Sequence, residues 1–230
     1  MTLDETMEKL RSLADEQTRQ MNARGVAGEK HFGTRMSEKQ LGVKMGDLRT
    51  LAKSIKADHE LAMQLWGTGV DEAMLLALLI MKPKQLSTEQ LDGMVRSAPA
   101  MQVADWLQSY VVKAHPQKEA LRQKWMIDDD PMAARAGWSL TAERVEKSPD
   151  GLDLESLLDR IEKEMASAPV PTRWTMNFAL GAIGINHAAY RERVLAIGEK
   201  LGVYRDYPAS KGCTSPYVPI WVGEMVRRQS

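Results

Sequence analysis

The chain has 230 residues, of which 43% are hydrophobic and 27% are charged, and its formal net charge at pH 7 is zero. This composition is typical of a folded protein, and it excludes a disordered chain and a uniformly basic nucleic-acid-binding surface. No apolar run approaches the roughly 20 residues of a membrane-spanning helix, and the acidic N-terminus lacks the apolar core of a signal peptide. We therefore expect a cytoplasmic protein that makes no contact with membranes.

The residue patterns that carry metal or cofactor chemistry are missing from the sequence. Cys213 is the single cysteine and cannot form a disulfide within the chain, and the four histidines show no zinc-ligand spacing. The sequence also has no glycine-rich phosphate loop, no dinucleotide fingerprint and no informative Ser-His-Asp or Cys-His arrangement. We therefore predict neither a metal nor a cofactor.

Positive charge is concentrated in the segment 19–56, which has nine basic and three acidic side chains, a local excess of six charges. Such an excess indicates either an ordinary solvated helix surface or a patch that faces phosphates. The basic residues are Arg19, Arg24, Lys30, Arg35, Lys39, Lys44, Arg49, Lys53 and Lys56.

Hydrophobic residues recur at helical spacing along almost the whole chain, and no segment alternates apolar and polar residues as a strand does. Segments rich in small residues recur at 72–81, 102–111, 133–142 and 175–184, each after a turn and another helix. Their separation is typical of helix-pair repeats such as HEAT units, which stack into a curved superhelix with a concave face. We predict one all-α domain of this kind over residues 1–230. An ordinary helical bundle is the alternative.

Capping residues mark where the later helices begin. Ser87 and Gln90 have the spacing of a capping box, and Asp153 is placed to cap a helix over 154–165. A further helix is predicted over 190–201.

The C-terminal segment 203–223 differs from the rest of the chain. It is rich in proline, glycine and aromatic residues and has no helical period. We expect an irregular segment that docks on the fold and leads to a short terminal helix or tail. The alternative is a ligand-binding loop.

Spaced residues along nearly the whole chain match a known pattern. The segment 41–80 resembles the AlkD-like family of DNA alkylation repair proteins, and 103–112, 135–137 and 177–184 are similar to its later repeats. The matching positions of the first segment are Gly42, Val43, Asp47, Leu48, Arg49, Leu51, Ala52, Lys53, Glu60, Leu61, Ala62, Leu65, Trp66 and Glu72.

The resemblance implies a monomeric, monofunctional DNA glycosylase that releases cationic N3- or N7-alkylated purines from double-stranded DNA. Alkylation gives the base a positive charge and weakens the glycosidic bond, so the transition state resembles an oxocarbenium ion. A carboxylate can stabilise that cation, an aromatic face can attract it, and an arginine can hold the flanking phosphate.

The resemblance places the family's carboxylate on Asp105 and its arginine on Arg135. The family has a tryptophan one turn before the carboxylate, where this chain has Met101, and its second aromatic residue falls on Phe178. Phenylalanine attracts cations less strongly than tryptophan. Two departures from the family pattern are therefore expected at the aromatic positions.

Two nearby tryptophans can supply the missing ring. Trp174 precedes Phe178 by four residues, and Trp138 follows Arg135 by three, so each pair shares a helix face. The cations assigned to phosphate contacts are Arg49, Lys44 and Lys53.

Each assignment has a simpler alternative. Asp105 can be an exposed or ion-paired carboxylate, and Arg135 can pair with a neighbouring helix. Three other tryptophans are predicted to pack in the core, namely Trp66, Trp106 and Trp125. At the level of function, the alternative is a non-enzymatic helical scaffold that binds nucleic acid or protein on its concave face.

Overall fold

The computed structural model describes residues 1–23, 36–210 and 212–229, and within these ranges it is built from α-helices without strands. Three basic residues of the segment 19–56 lie outside the described residues, namely Arg24, Lys30 and Arg35. The α-helices in chain order are α1 (Leu3–Ser12), α2 (Glu16–Ala23), α3 (Met45–Ile55), α4 (His59–Gly67), α5 (Asp71–Ile80), α6 (Thr88–Ser97), α7 (Met101–Trp106), α8 (Lys118–Trp125), α9 (Pro131–Lys147), α10 (Leu154–Glu164), α11 (Val170–Asn186), α12 (Arg191–Leu201) and α13 (Val218–Gln229).

The chain divides into two compact units, Met1–Lys118 and Glu119–Ser230. In the first unit, α5 is the central helix and packs against α1, α3, α4 and α7. Its sequence is apolar on nearly every side, so all but one of its residues are buried. A helix that is apolar all round belongs in a core, and this explains the central position of α5.

Two buried carboxylates at the start of α5 fasten the loop before α3. Glu72, which has no exposed surface, accepts hydrogen bonds from the backbone N–H groups of Leu41, Gly42 and Val43 at 2.7, 2.7 and 3.1 Å. Asp71 likewise accepts the backbone N–H and the hydroxyl of Ser37. These contacts satisfy loop N–H groups that burial would otherwise leave without partners.

The helix α7 continues into a wider turn. Leu107–Val111 is π-helical, with the Val112 N–H donating to the carbonyl of Leu107, and Val112–Ala114 is a 3₁₀ turn. Single π-helical turns change the faces on which later residues lie, and they are frequent at functional sites.

In the second unit, α9 and α11 pack against each other, and α10, α12 and α13 pack against α11. Glycines allow the closest of these contacts. A Cβ at Gly181 would lie 2.3 Å from the Trp221 ring, and one at Gly184 would lie 2.7 Å from Val194. The small residues of α11 therefore form the surface on which α13 docks.

The C-terminal segment is irregular over a shorter range than expected. The expectation of 203–223 is wrong at its end, because α13 begins at Val218. Pro219 lies in the first turn of α13, where a helix does not need the N–H group that proline lacks. The irregular part docks on the unit, since the Asn177 side-chain amide donates to the Pro216 carbonyl at 2.9 Å.

Most local predictions are confirmed. The Ser87–Gln90 capping box is present, and Asp153 caps α10 by accepting the Ser156 N–H. The four segments rich in small residues fall in α5, in α7 with its π-helical turn, in α9 and in α11. The predicted all-α class is thus confirmed, and the single domain over residues 1–230 stays a prediction.

Candidate functional site

The predicted catalytic carboxylate is accessible. Asp105 lies in α7 and is exposed, whereas its neighbours Ala104 and Trp106 are buried. Burial differs between these neighbours because one face of α7 packs in the first unit while the other faces outward. A carboxylate in this position can reach a ligand without any rearrangement of the core.

Trp106, which follows Asp105 in the chain, contacts a cation and a second aromatic ring. The guanidinium carbon of Arg49 lies 4.9 Å from the centre of the Trp106 ring. The edge of Tyr110 meets the same ring, with 5.3 Å between ring centres, and Tyr110 is 40% exposed. Trp106 itself is 7% exposed, so the prediction that it packs in the core is confirmed.

The position one turn before Asp105 carries no ring. Met101 is the first residue of α7 and is half-buried. Gln108, three residues after Asp105, is 5% exposed and belongs to the π-helical turn. The exposed aromatic side chain that follows Asp105 in the sequence is therefore Tyr110, five residues later.

The predicted phosphate contacts of the first unit lie along α3. Lys44 precedes the first turn, and Arg49 and Lys53 are spaced by four residues, which places them on one helix face. All three side chains are exposed. Their charge is thus available to a polyanion, although Arg49 also lies against Trp106.

The remaining predicted site residues belong to the second unit, and two of them are buried. Arg135 is 5% exposed, and its predicted contact with a phosphate stays a prediction. Trp138 is 1% exposed within the core, with the guanidinium of Arg160 at 5.1 Å from its ring centre. Trp138 is therefore a core residue, and its predicted contact with DNA stays a prediction.

Trp174 and Phe178 lie in an aromatic cluster, the ring cluster, together with Tyr204, Tyr207 and Trp221. The Trp174 ring centre lies 5.1 Å from Phe178, 5.3 Å from Tyr204 and 6.0 Å from Tyr207. Phe178 meets Trp221 at 5.0 Å and is 38% exposed. The expected aromatic surface of α11 is therefore extended by rings from the C-terminal segment.

The hydroxyls of the two tyrosines titrate above their ordinary range. Burial raises the pKa of Tyr204 to about 12, and the nearby Arg173 partly opposes this rise. Burial also raises the pKa of Tyr207. Both side chains are therefore neutral at physiological pH, and their rings act as uncharged aromatic surfaces.

Sequence patterns did not indicate Tyr110, Tyr204 and Tyr207 as site residues. The available signal for Tyr110 was its position shortly after Asp105 on one helix. For the other two, the signal was the density of aromatic residues in a segment without helical period, which also describes an ordinary docked tail.

No group of three or more His, Cys, Asp or Glu side chains suited to a metal ion occurs in the ranges 1–23, 36–210 and 212–229. Over the same ranges, none of the helices has the length and apolar character needed to cross a membrane.

Comparison with known proteins identifies relatives along most of the chain. The family model described as DNA alkylation repair enzyme matches residues 6–201. The uncharacterised proteins Lin0241 of Listeria innocua serovar 6a and Lmo0209 of Listeria monocytogenes serovar 1/2a are each 25% identical over 181 residues. Each alignment covers 76% of this chain and 78% of the relative.

A solved structure shares the fold. It aligns over 100% of this chain and 95% of its own with a TM-score of 0.77 and 22% identity. It is described as a new family of proteins related to the HEAT-like repeat DNA glycosylases with affinity for branched DNA structures. The likeness confirms the predicted HEAT-like helical fold.

Proposed function

The chain belongs to the DNA alkylation repair enzyme family, and on that premise we propose that it hydrolyses the N-glycosidic bond of N3- or N7-alkylated purines in double-stranded DNA. Water adds to the sugar C1′ and loses a proton to solvent. The bond from C1′ to the base breaks, and its electron pair neutralises the charge of the departing base. No covalent enzyme intermediate is needed, because the alkylated base is already a good leaving group.

The observation that carries the proposal is the exposed carboxylate of Asp105, which directly precedes Trp106 in the chain. The Trp106 ring in turn contacts Arg49 and Tyr110. A negative charge near C1′ stabilises the oxocarbenium-like transition state more than the ground state, because positive charge on the sugar grows along the reaction. Tyr110, which is 40% exposed, offers a cation–π surface for the charged nucleoside.

The exposed cations of α3 provide the binding energy for the DNA backbone. Contacts with phosphates do not depend on the base sequence, so Lys44, Arg49 and Lys53 fix the position of a duplex and do not read its bases. A repair protein that acts on a lesion in any sequence context needs contacts of this type.

The test is release of base from duplex DNA that carries N7-methylguanine or N3-methyladenine, measured against spontaneous loss. We expect release above the spontaneous rate by the wild type and a loss of about 100-fold or more of that excess in Asp105→Asn, the range found when one electrostatic group is removed. Glu8→Gln is the matched control, because Glu8 is an exposed carboxylate on another helix of the same unit. Equal release by wild type and Asp105→Asn would contradict the assigned role.

A second candidate function is binding of branched DNA without base excision. Two observations favour it: the solved structure of the same fold is described as having affinity for branched DNA, and Met101 stands where the family has a tryptophan. Its test compares affinity for a four-way junction with affinity for a linear duplex of the same sequence at one salt concentration. Tighter junction binding without base release favours this candidate, and equal affinities exclude it.

A further inference from the structure

The part of the chain after the family match contributes to the ring cluster. The match ends at residue 201, whereas Tyr204, Tyr207 and Trp221 lie beyond it. These rings contact Trp174 and Phe178, which lie inside the match. The C-terminal segment therefore completes an aromatic surface that α11 begins.

The ring cluster is partly exposed to solvent and is not a closed core. Tyr204 is 9% exposed and anchors the cluster from within, while Phe178 is 38% exposed. Trp174, Tyr207 and Trp221 are partly exposed. Monomeric proteins rarely leave several neighbouring aromatic rings at the surface without a binding role.

The backbone that presents Tyr207 is held in a costly conformation. Tyr204, three residues after the end of α12, has a φ of 62°, in the left-handed region that bulky residues avoid. Its ring is held by Trp174 and also meets Tyr207 edge-on, with 5.8 Å between ring centres. Strain of this kind persists where the surroundings fix it, and here it directs the chain so that Tyr207 lies beside Trp174.

A positively charged side chain, Arg173, borders the ring cluster. Arg173 precedes Trp174 on α11 and donates two hydrogen bonds to the Ala168 carbonyl, which fixes its guanidinium. The guanidinium of Arg205 is engaged elsewhere, with Tyr217 and Glu199, so Arg173 is the cation at the ring cluster. Aromatic faces next to arginines are the combination with which proteins hold unpaired nucleotides, because the rings stack on bases while the cations attract the backbone.

We propose that the ring cluster binds an unpaired nucleobase of DNA, with Tyr207 as a stacking residue supplied by the C-terminal segment and Tyr204 as its positioning residue. The inference rests on the proposed DNA-binding function but not on base excision. Stacking tolerates any base, since every base has a π face, so the surface recognises an unpaired nucleotide rather than a sequence.

The experiment uses the full chain and duplex DNA that carries one extrahelical 2-aminopurine, whose fluorescence falls when it stacks on an aromatic ring. A duplex with the same 2-aminopurine paired to thymine is the reference probe. We expect the wild type to quench the extrahelical probe and to bind it more tightly than the reference.

Tyr207→Leu fills the space beside Trp174 while it removes the ring, so it tests stacking without opening a hole. We expect it to lose most of the quenching and to weaken binding of the extrahelical probe by roughly fivefold or more, whereas Tyr207→Phe keeps both. Tyr190→Leu is the matched control, because Tyr190 is a partly buried ring of the same unit outside the cluster.

The outcomes distinguish failure of the stacking role from failure of DNA binding. Binding without quenching, or equal quenching by wild type and Tyr207→Leu, overturns the stacking role and leaves the proposed function standing. Absence of binding to both probes overturns the DNA binding on which the proposed function and this inference both rest. Quenching that survives in Tyr207→Phe, fails in Tyr207→Leu and persists in the control supports the inference.

Discussion

Different kinds of interaction hold the elements together within each of the two units. In the first unit, buried carboxylates at the start of α5 hold a loop through backbone N–H groups. In the second unit, glycines of α11 let α13 approach so closely that a single methyl group would clash. The first device depends on charge-assisted hydrogen bonds and the second on shape. The units should therefore respond differently to substitutions of similar size.

The largest effect is expected at Glu72. Glu72→Ala leaves the N–H groups of Leu41, Gly42 and Val43 without their acceptor in a buried place, and each lost partner costs about 1–3 kcal/mol. We expect the free energy of unfolding, measured in urea, to fall by roughly 3 kcal/mol or more. Glu60→Ala, at an exposed position of α4, should change it by less than about 0.5 kcal/mol. Similar losses in the two variants would show that Glu72 does not fasten the loop.

A smaller effect on the free energy of unfolding is expected at Gly181, where α11 and α13 pack closely. Gly181→Ala places a methyl group against the Trp221 ring, and overpacking of this kind costs about 1–3 kcal/mol. Gly223→Ala is the matched control, because a Cβ there meets nothing within 4 Å and alanine favours the helix by about 0.5–1 kcal/mol. We therefore expect Gly181→Ala to lower the free energy of unfolding in urea and Gly223→Ala to raise it. A neutral or stabilising Gly181→Ala would mean that α13 does not rest on this glycine.

The smallest effect concerns an ion network of the second unit and should depend on pH. The hydrogen bond from Arg122 lowers the pKa of Glu119 below its ordinary value of 4.5, and Arg144 also pairs with it. Because the folded-state pKa is depressed, the stabilisation is present above about pH 4.5 and is lost as the pH falls through the lowered value.

Partial exposure screens this network, so its contribution is up to about 1 kcal/mol. Urea unfolding at pH 7 and pH 3 measures it, with Glu119→Gln as the control that removes the titrating group. We expect the wild type to lose more stability than Glu119→Gln between these two pH values. An equal loss in the two proteins would exclude a contribution from Glu119.

Local signals predicted the fold well, and contacts distant in sequence explain what they missed. The capping box at Ser87 and the cap at Asp153 depend on residues within one turn, so the sequence alone identified them. The burial of Trp138 depends on how α9 packs on α11, and nothing near Trp138 in sequence reports that contact.

The candidate site shows the same division. The resemblance pointed to Asp105, which the structure places at an exposed position of α7, and the aromatic character of Trp174 and Phe178 was visible in the sequence. The partners of Trp174 come from residues about 30 positions later, held by a left-handed Tyr204 that no propensity favours. The π-helical turn after Asp105 was not predicted either, because its sequence is that of an ordinary helix.

The most direct test of the proposed function is the single-turnover rate of N7-methylguanine release with the protein in excess over DNA at a saturating concentration. Under these conditions the rate reports the chemical step and not the affinity. We expect Asp105→Asn to lower this rate by about 100-fold or more while its affinity for the same DNA stays within about threefold of the wild type. An unchanged rate, or a wild-type rate equal to spontaneous loss, would contradict a catalytic carboxylate at Asp105.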